Sequence, residues 1–205
     1  MTLFGTVVYE INRQLIQRYC LDFGGSISIF CWGAIYGSIV SLISYFRKHK
    51  RTAQENESRV GGKFSYTLVG MGSLFCWVFF PFLNNDIPVT LAYSYQAVIN
   101  CIYSMCASVL TAIGLSCLFT GKLNLKDFIY GPIVGAVIIG SSAAFITNTV
   151  GALLMGVGAG TTHFLLHRWE ARIKWYFLIE NNVLFLYGVQ GMMGGLLSSI
   201  FVKLA

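Results

Sequence analysis

Long apolar runs with almost no charged residues dominate this chain. A helix that crosses the hydrocarbon core of a membrane needs about 20 mostly apolar residues. Runs near that length occupy 26–46, 64–83, 91–119, 128–147, 149–166 and 182–204. Charged residues make up only 11% of the 205 residues, whereas a soluble domain carries about 25%. The sequence therefore predicts an all-α integral membrane protein with six transmembrane helices in a single transmembrane domain, 1–205.

The segment 1–20 differs from these runs because its apolar side chains lie along one helical stripe only. The stripe consists of Leu3, Val7, Val8, Ile11 and Leu15, and the residues off it include Glu10, Asn12, Arg13, Gln17 and Arg18. This pattern is typical of an amphipathic helix at the membrane surface or of a helix that spans half the membrane.

The basic residues are distributed unequally between the two sides of the predicted bundle. Of the 14 Lys and Arg residues, all but three fall on the side of the loop 47–63. Since loops rich in Lys and Arg stay on the cytoplasmic side, this loop is expected to face the cytoplasm, or the matrix in a mitochondrion. Both termini are then on the opposite side. The net charge of +6 is thus attributed to membrane topology, and no nucleic-acid partner is expected.

Glycines four residues apart occur in four of the predicted helices. Small residues at this spacing let helix backbones approach closely within a membrane. The pairs are Gly33/Gly37, Gly131/Gly135, Gly156/Gly160 and Gly191/Gly195. They predict a compact bundle. The fourth and fifth helices, with Asn148 alone between them, are expected to form a tight antiparallel pair.

Two histidines have a spacing that is compatible with metal binding. His163 and His167 lie four residues apart and Glu170 follows within one turn, so one helix face could hold a metal ion. The alternative, which we favour, is a pair of interfacial histidines beside Arg168 and Trp169. The six cysteines form no C-x-x-C pair and are expected to be small buried side chains. We predict no metal, no cofactor and no enzymatic activity, because the sequence shows no nucleophile–base pair.

Four regions of the chain carry motifs with a recognisable order. They are 21–30 (LDFGGSISIF), 77–84 (WVFFPFLN), 121–123 (GKL) with 135–144 and 151–154 (GALL), and 188–195 (GVQGMMGG). In this order they resemble the opening of the fifth helix, the end of the sixth, the region from the seventh-to-eighth loop to the ninth helix, and the tenth helix of the ammonium transporter and Rhesus protein family. The spacing agrees over nearly the whole chain.

This resemblance implies a fold and an assembly. The family fold has eleven spans, in two inverted repeats of five and a last helix. Each subunit has a narrow apolar pore between the repeats, and the subunits form trimers. The chain resembles spans five to ten, and its segment 3–15 resembles the end of span four. The other spans have no counterpart in it, so we expect a partial bundle in which one wall of the pore is largely missing.

The resemblance also marks positions of the former pore. Phe30 and Gln190 occupy the places of the family's two pore histidines, Leu83 that of the phenyl gate, and Asn84 and Asp22 are retained. A phenyl ring cannot hydrogen-bond and an amide does not titrate. Gln190 either lines a residual polar path or bonds to a neighbouring helix. Asp22 is either a helix cap, which we favour, or a cation site at a membrane entrance.

Two packing expectations follow for these positions. Phe30 and Gln190 should still face each other inside the bundle, because they occupy equivalent places in the inverted repeats. Phe30 should close the space between them, and Gln190 should find a hydrogen-bond partner, since an unpaired buried amide costs roughly 1–3 kcal/mol.

These replacements predict a protein that has lost transport and serves as a structural or accessory subunit of a larger membrane protein complex. The alternative is a channel for ammonium, ammonia or a neutral gas that other chains complete. The expected partners are membrane lipids and other membrane protein subunits, in a hetero-oligomer or, alternatively, a homotrimer. The mitochondrial inner membrane and the plasma membrane both fit.

Overall fold

The computed structural model describes residues 2–19, 22–48, 63–85, 91–170 and 183–204. The helices in chain order are α1 (Thr2–Tyr19), the π-helical segment π1 (Ser26–Cys31), α2 (Trp32–Lys48), α3 (Lys63–Leu83), α4 (Leu91–Thr120), α5 (Leu125–Ile139), α6 (Thr149–Glu170), the π-helical segment π2 (Leu184–Val189) and α7 (Gln190–Leu204). The described part of the chain is therefore all-α, as predicted. Most of the loop 47–63, whose orientation the basic residues predict, lies outside the described residues.

Three of the described helical stretches are long and apolar enough to cross a membrane. They are Ser26–Ile43, Tyr93–Thr120 and Thr149–Trp169, and a shorter apolar stretch occupies Thr67–Leu83. Helix α5 falls on the fourth predicted run but has 15 residues, fewer than a straight crossing requires. On the sixth run, π2 leads directly into α7, so that one helical stretch covers 184–204, which is about the length of a span.

The core of the bundle lies where α4, α5 and α6 meet. Helix α5 is at its centre, because α3, π1, π2 and α7 also pack against it. Its fully buried side chains and those of the facing side of α4 are Val134, Val137, Ile138, Ile139, Cys101 and Met105. An almost uninterrupted buried apolar run is expected of a helix that is covered on all sides.

Helix α5 ends earlier than the apolar run predicted. It stops at Ile139, and a bent segment, rather than Asn148 alone, connects it to α6. Side chains of α4 satisfy the backbone of this segment, since Asn100 Nδ2 donates to the carbonyls of Ala143 and Ile146 at 2.9 and 2.7 Å. The predicted span 128–147 is therefore wrong at its end. The carbonyl groups of this segment accept hydrogen bonds from side chains of α4, so they do not need the backbone hydrogen bonds of a continued helix.

Serines and glycines form the contact between α4 and its two neighbours. A Cβ atom added at Gly135 would lie 2.7 Å from the carbonyl oxygen of Ser104, and one added at Gly156 would collide with the same oxygen. A Cβ atom added at Gly160 would likewise collide with the carbonyl oxygen of Ser108. The Ser104 hydroxyl donates to the Gly135 carbonyl at 2.7 Å. The backbones thus approach as closely as the glycine spacing predicts.

The first glycine pair behaves differently from the others. No described atom lies within 4 Å of a Cβ built at Gly33 or Gly37, so the structure does not place these two glycines at a helix contact. Helix α2 packs instead through Ala34, which is buried against Gly188 of π2. Gly131 packs on α4, as expected. Gly33 and Gly37 are one turn apart and share a face, and within the described residues α2 turns a different face inward. Their role in helix packing therefore stays a prediction.

The outer surface of the bundle is strongly apolar. On α3, Phe75, Phe79 and Phe82 are exposed, and of the row of phenylalanines only Phe80 is buried. The described cysteines are free, and Cys117 is exposed rather than buried as expected. Such side chains would be costly in water. They are suited to lipid or to the apolar helices of another membrane segment.

Candidate functional site

Asp22 holds the start of π1. Its Oδ2 atom accepts hydrogen bonds from the backbone N–H groups of Ile27 and Ser28 at 3.0 and 2.8 Å. The side chain is buried, and Oδ1 has no hydrogen-bond partner among the described residues. A carboxylate at the N-terminus of a helix accepts hydrogen bonds from backbone N–H groups that have no partner within the helix. This geometry is that of a structural cap.

A second set of hydrogen bonds fastens π1 to the end of α5. The Ser26 hydroxyl donates to the Val137 carbonyl at 2.7 Å and accepts from the Ser141 N–H at 2.8 Å. Two residues earlier, the Gly24 N–H donates to the Gly140 carbonyl at 3.0 Å. A Cβ at Gly24 would lie 2.7 Å from that carbonyl oxygen. The sequence reasoning used these glycines only as family markers and missed the role of Ser26.

Leu83 and Asn84 are neighbours in the chain but point in opposite directions. Asn84 is buried and its Nδ2 atom donates to the Ala136 carbonyl at 2.9 Å and to Cys101 Sγ at 3.2 Å. It thereby joins α3 to both α4 and α5. Leu83, the position of the phenyl gate, is 59% exposed. The structure thus places Asn84 in the packing of the bundle and Leu83 on its outer surface.

Phe30 lies between two other aromatic rings. Its ring centroid is 5.6 Å from that of Phe80 on α3 and 5.9 Å from that of Tyr187 on π2, with interplanar angles of 28° and 13°. Near-parallel rings at these distances attract each other beyond simple apolar burial. The position that the resemblance aligns with a pore histidine is therefore filled by a stack of three aromatic rings.

Gln190 is fully buried at the junction of π2 and α7. Its Nε2 atom donates to the Thr162 hydroxyl on α6 at 2.7 Å, whereas Oε1 has no partner among the described residues. The following residue, Gly191, packs against the backbone of π1 at Ser26 and Cys31. Gln190 thus has the hydrogen-bond partner that we expected. Thr162 had no signal in the sequence, because nothing there shows which face of α6 meets α7.

Tyr187 brings the two former pore positions into one cluster. It stacks on Phe30 and precedes Gln190 by less than one turn. Gly195, one turn beyond Gly191, meets the side chain of Ile27. The surroundings of Phe30 and Gln190 are thus formed by rings, small residues and backbone. The prediction that their side chains face each other directly stays a prediction.

The two histidines on α6 have different surroundings. The rings of His163 and His167 are parallel with centroids 6.2 Å apart. His163 is buried, not interfacial as we expected, and its Nε2 atom lies 3.5 Å from Asp127 Oδ1 on α5. The described residues contain no group of three side chains arranged for a metal ion, and the Glu170 side chain lies outside them. Sequence reasoning missed Asp127, because a single acid before an apolar run resembles any loop residue.

Together, the helical bundle, its serine and glycine contacts and the retained Asp22 and Asn84 define a membrane protein of the transporter or channel class. The family model of the Ammonium Transporter Family matches residues 1–205. The chain therefore belongs to the ammonium transporter family, and the resemblance found in the sequence is confirmed. The family consists of transporters and channels rather than enzymes, and the chain is an integral membrane protein.

Curated relatives of the Rh type match the whole chain at low identity. It is 28% identical over 212 residues to the ammonium transporter Rh type C of Gasterosteus aculeatus, covering 100% of this chain and 43% of that protein. It is likewise 28% identical over 213 residues to the ammonium transporter Rh type B of Homo sapiens, covering 100% and 46%. The chain thus spans less than half the length of these relatives.

Solved structures agree with the fold. The Rh50 protein of Nitrosomonas europaea, a Rhesus-family channel, superposes with a TM-score of 0.79 and 26% identity over 97% of this chain and 53% of that one. Mep2 of Saccharomyces cerevisiae superposes with a TM-score of 0.71 over 91% of this chain and 41% of its own, and at 21% identity it supports the fold alone. The described helices are therefore a partial bundle of this channel fold.

Proposed function

We propose that this chain is an Rh-type membrane protein that does not itself conduct ammonium or ammonia and serves as a structural or accessory subunit of a larger membrane protein complex. The stack of Phe30 between Phe80 and Tyr187 is the observation that carries the proposal. It fills a position where the family resemblance implies a histidine that lines the substrate path.

The chemistry of the two replaced positions supports a closed path. An imidazole can both donate and accept a hydrogen bond, whereas a phenyl ring can do neither. A small polar substrate that reached Phe30 would lose its hydration without gaining a partner, and an unpaired polar group in apolar surroundings is costly. Gln190 keeps a polar side chain, but its donor is already bonded to Thr162. The amide also cannot carry a proton from one side to the other.

The apolar surface supports the accessory role. Contiguous exposed aromatic side chains on α3 and the open face of α2 at Gly33 and Gly37 are suited to close contact with other membrane helices. Patches of this kind mark interaction surfaces. We infer other membrane protein subunits as the partners, with the loop 47–63 on the cytoplasmic or matrix side.

Reconstitution into lipid vesicles tests the closed path. The full-length chain is expected to give no faster pH change after an ammonium gradient is imposed than empty vesicles do. The Nitrosomonas Rh50 protein, handled in parallel, serves as the conducting control. A rate clearly above the empty-vesicle background would overturn the proposal.

A second experiment tests the accessory role. The tagged chain is purified from its native membrane in a mild detergent, and its companions are identified by mass spectrometry. Other membrane proteins in fixed ratio to the chain are the expected result. A chain that elutes as a stable monomer or homotrimer without other proteins would contradict the accessory role, even if no flux is observed.

The alternative function is a channel for ammonium, ammonia or a neutral gas that is completed by other chains. The retention of Asp22 and Asn84 with their hydrogen bonds favours it, because these residues preserve the scaffold of the family's pore. Native-membrane vesicles with and without the chain separate the two functions. Faster ammonia entry in the presence of the chain, while the chain alone is silent, would support the alternative.

A further inference from the structure

A buried acid and a buried base meet where the first turn of α5 lies against α6. Asp127 lies in the first turn of α5 and is 2% exposed, and His163 lies about two turns before the end of α6 and is 7% exposed. The distance from His163 Nε2 to Asp127 Oδ1 is 3.5 Å. This is within ion-pair range, but Nε2 has no hydrogen bond of good geometry among the described residues.

Neither residue provides the cap of its helix. Helix α5 is already capped by Asn124, whose side chain accepts from the Lys126 N–H at 3.2 Å. His163 is well inside α6, with its ring edge-on to Tyr130 at a centroid distance of 6.4 Å. Ionisable side chains inside a membrane protein are costly and persist only when they are paired. The presence of this buried pair must therefore be explained by the chemistry of Asp127 and His163 themselves.

The surroundings determine what the pair can bind. A recess of about 10 Å³ opens beside it, lined by Lys126, Tyr130, His163, Leu166, His167, Phe185 and Leu186. This volume holds about one water molecule. Ser116 of α4 interacts with the Asp127 carboxylate, as His167 of α6 also does, while π2 contributes only the apolar Phe185 and Leu186 to the recess. A recess beside an imidazole nitrogen without a hydrogen-bond partner can hold a water molecule that exchanges protons with it.

We propose that Asp127 and His163 form a buried proton-binding site that couples the packing of α4, α5 and α6 to pH on their side of the membrane. A hydronium ion of the bulk solution passes a proton to the imidazole through the water molecule in the recess, and a neutral water molecule is left behind. The imidazolium and the Asp127 carboxylate then form a charge-assisted pair. When the imidazole releases the proton to water at higher pH, the attraction between opposite charges is lost and the three helices are held less tightly.

The direction of the pH effect follows from which state carries the attraction. The ion pair exists only while His163 is protonated and Asp127 is not. An ordinary histidine changes charge near neutral pH, and an ordinary aspartate well below it. The stabilisation is therefore present in mildly acidic solution and is lost as the pH rises. Lys126 and Tyr130 of α5 and His167 of α6 are the other titratable groups at the recess.

A double-mutant cycle with the full chain in lipid nanodiscs tests this site. The melting temperatures of the unmodified chain, Asp127→Asn, His163→Gln and the double variant are compared in mildly acidic and mildly alkaline buffer. The coupling between the two substitutions is expected to be about 2–4 °C in acid and to vanish in alkali. His167→Gln is the control, since it removes a neighbouring imidazole on the same helix face and leaves the pair intact, so the coupling should persist in that background.

The other results of the cycle contradict the site. A coupling that is absent at both pH values would mean that the two side chains do not interact. An equal coupling at both would mean an uncharged hydrogen bond and no proton uptake.

If a variant fails to fold, amide hydrogen exchange on the unmodified chain decides. After correction for the intrinsic exchange rate, stronger protection of the first turn of α5 in acid supports the site, and equal protection at both pH values overturns it. Neither readout depends on whether the chain conducts.

Discussion

The hydroxyl of Ser26 and the carbonyl oxygen of Val137, 111 residues apart in the chain, are joined by a hydrogen bond of 2.7 Å. The same hydroxyl accepts from the backbone N–H of Ser141. One small side chain thus satisfies two backbone groups where α5 ends and fixes π1, which carries Phe30, against it. The position of the former pore residue therefore depends on a bond that is distant in sequence.

Replacing Ser26 by alanine should destabilise the protein. The substitution leaves the Val137 carbonyl and the Ser141 N–H buried without a partner, and an unsatisfied buried group costs about 1–3 kcal/mol. Thermal unfolding in detergent measures the effect. Ser38→Ala is the matched control, because the Ser38 hydroxyl bonds only within its own helix, to the Ala34 carbonyl. Equal melting temperatures for the two variants would show that the link to α5 contributes no stability.

Substitutions at two glycines should have opposite effects. Gly135→Ala places a Cβ atom 2.7 Å from the Ser104 carbonyl oxygen, and such overpacking costs typically 1–3 kcal/mol. Gly33→Ala adds its methyl group where no described atom lies within 4 Å, and alanine favours a helix over glycine by about 1 kcal/mol. We expect a lower melting temperature for the first variant and an unchanged or higher one for the second. A comparable loss in both would mean that Gly33 also lies at a helix contact, made with a partner.

The apolar runs predicted the helices and the glycine spacing predicted a compact bundle, because both depend on local composition and on residues that share a helix face. The sequence predicted only a tight pair of α5 and α6, and it did not show that the glycines of both helices pack on α4. The end of α5 at Ile139 could not be predicted. Gly140 and its neighbours continue the apolar run of α5, and the partners of their backbone come from distant segments. These partners are Gly24, Ser26, Gln96 and Asn100. Likewise, the sequence indicated Gln190 as a buried amide, but it did not indicate Thr162 as the hydrogen-bond partner. That partner can be identified only when the face that α6 turns toward Gln190 is known.

The orientation of the chain can be tested through the loop 47–63. Its basic residues predict that Thr52 faces the cytoplasm or the matrix, because positive loops remain on that side. A Thr52→Cys variant in a Cys117→Ser background, which removes the exposed native thiol of the described residues, should react with a membrane-impermeant thiol reagent only from that face. The Cys117→Ser protein without the added thiol serves as the control for labelling of other cysteines. Reaction from the opposite face would invert the predicted topology.

The bond between Gln190 and Thr162 should be measurable as a coupling. Gln190→Leu removes the donor and Thr162→Val the acceptor. Thr162→Val leaves the buried amide of Gln190 without its partner, at a cost of about 1–3 kcal/mol, whereas after Gln190→Leu the Thr162 hydroxyl keeps its bonds to the Gly158 and Ala159 carbonyls. Because both variants break the same 2.7 Å bond, the double variant should lose less stability than the two single variants together, by about 1 kcal/mol. Thermal or denaturant unfolding of the four proteins gives this difference.

Thr161→Val is the matched control, since the Thr161 hydroxyl bonds to the Gly158 carbonyl within α6, and its effect should simply add to that of Gln190→Leu. Additive losses for Gln190 and Thr162 would mean that the amide at the former pore position is held by something other than α6.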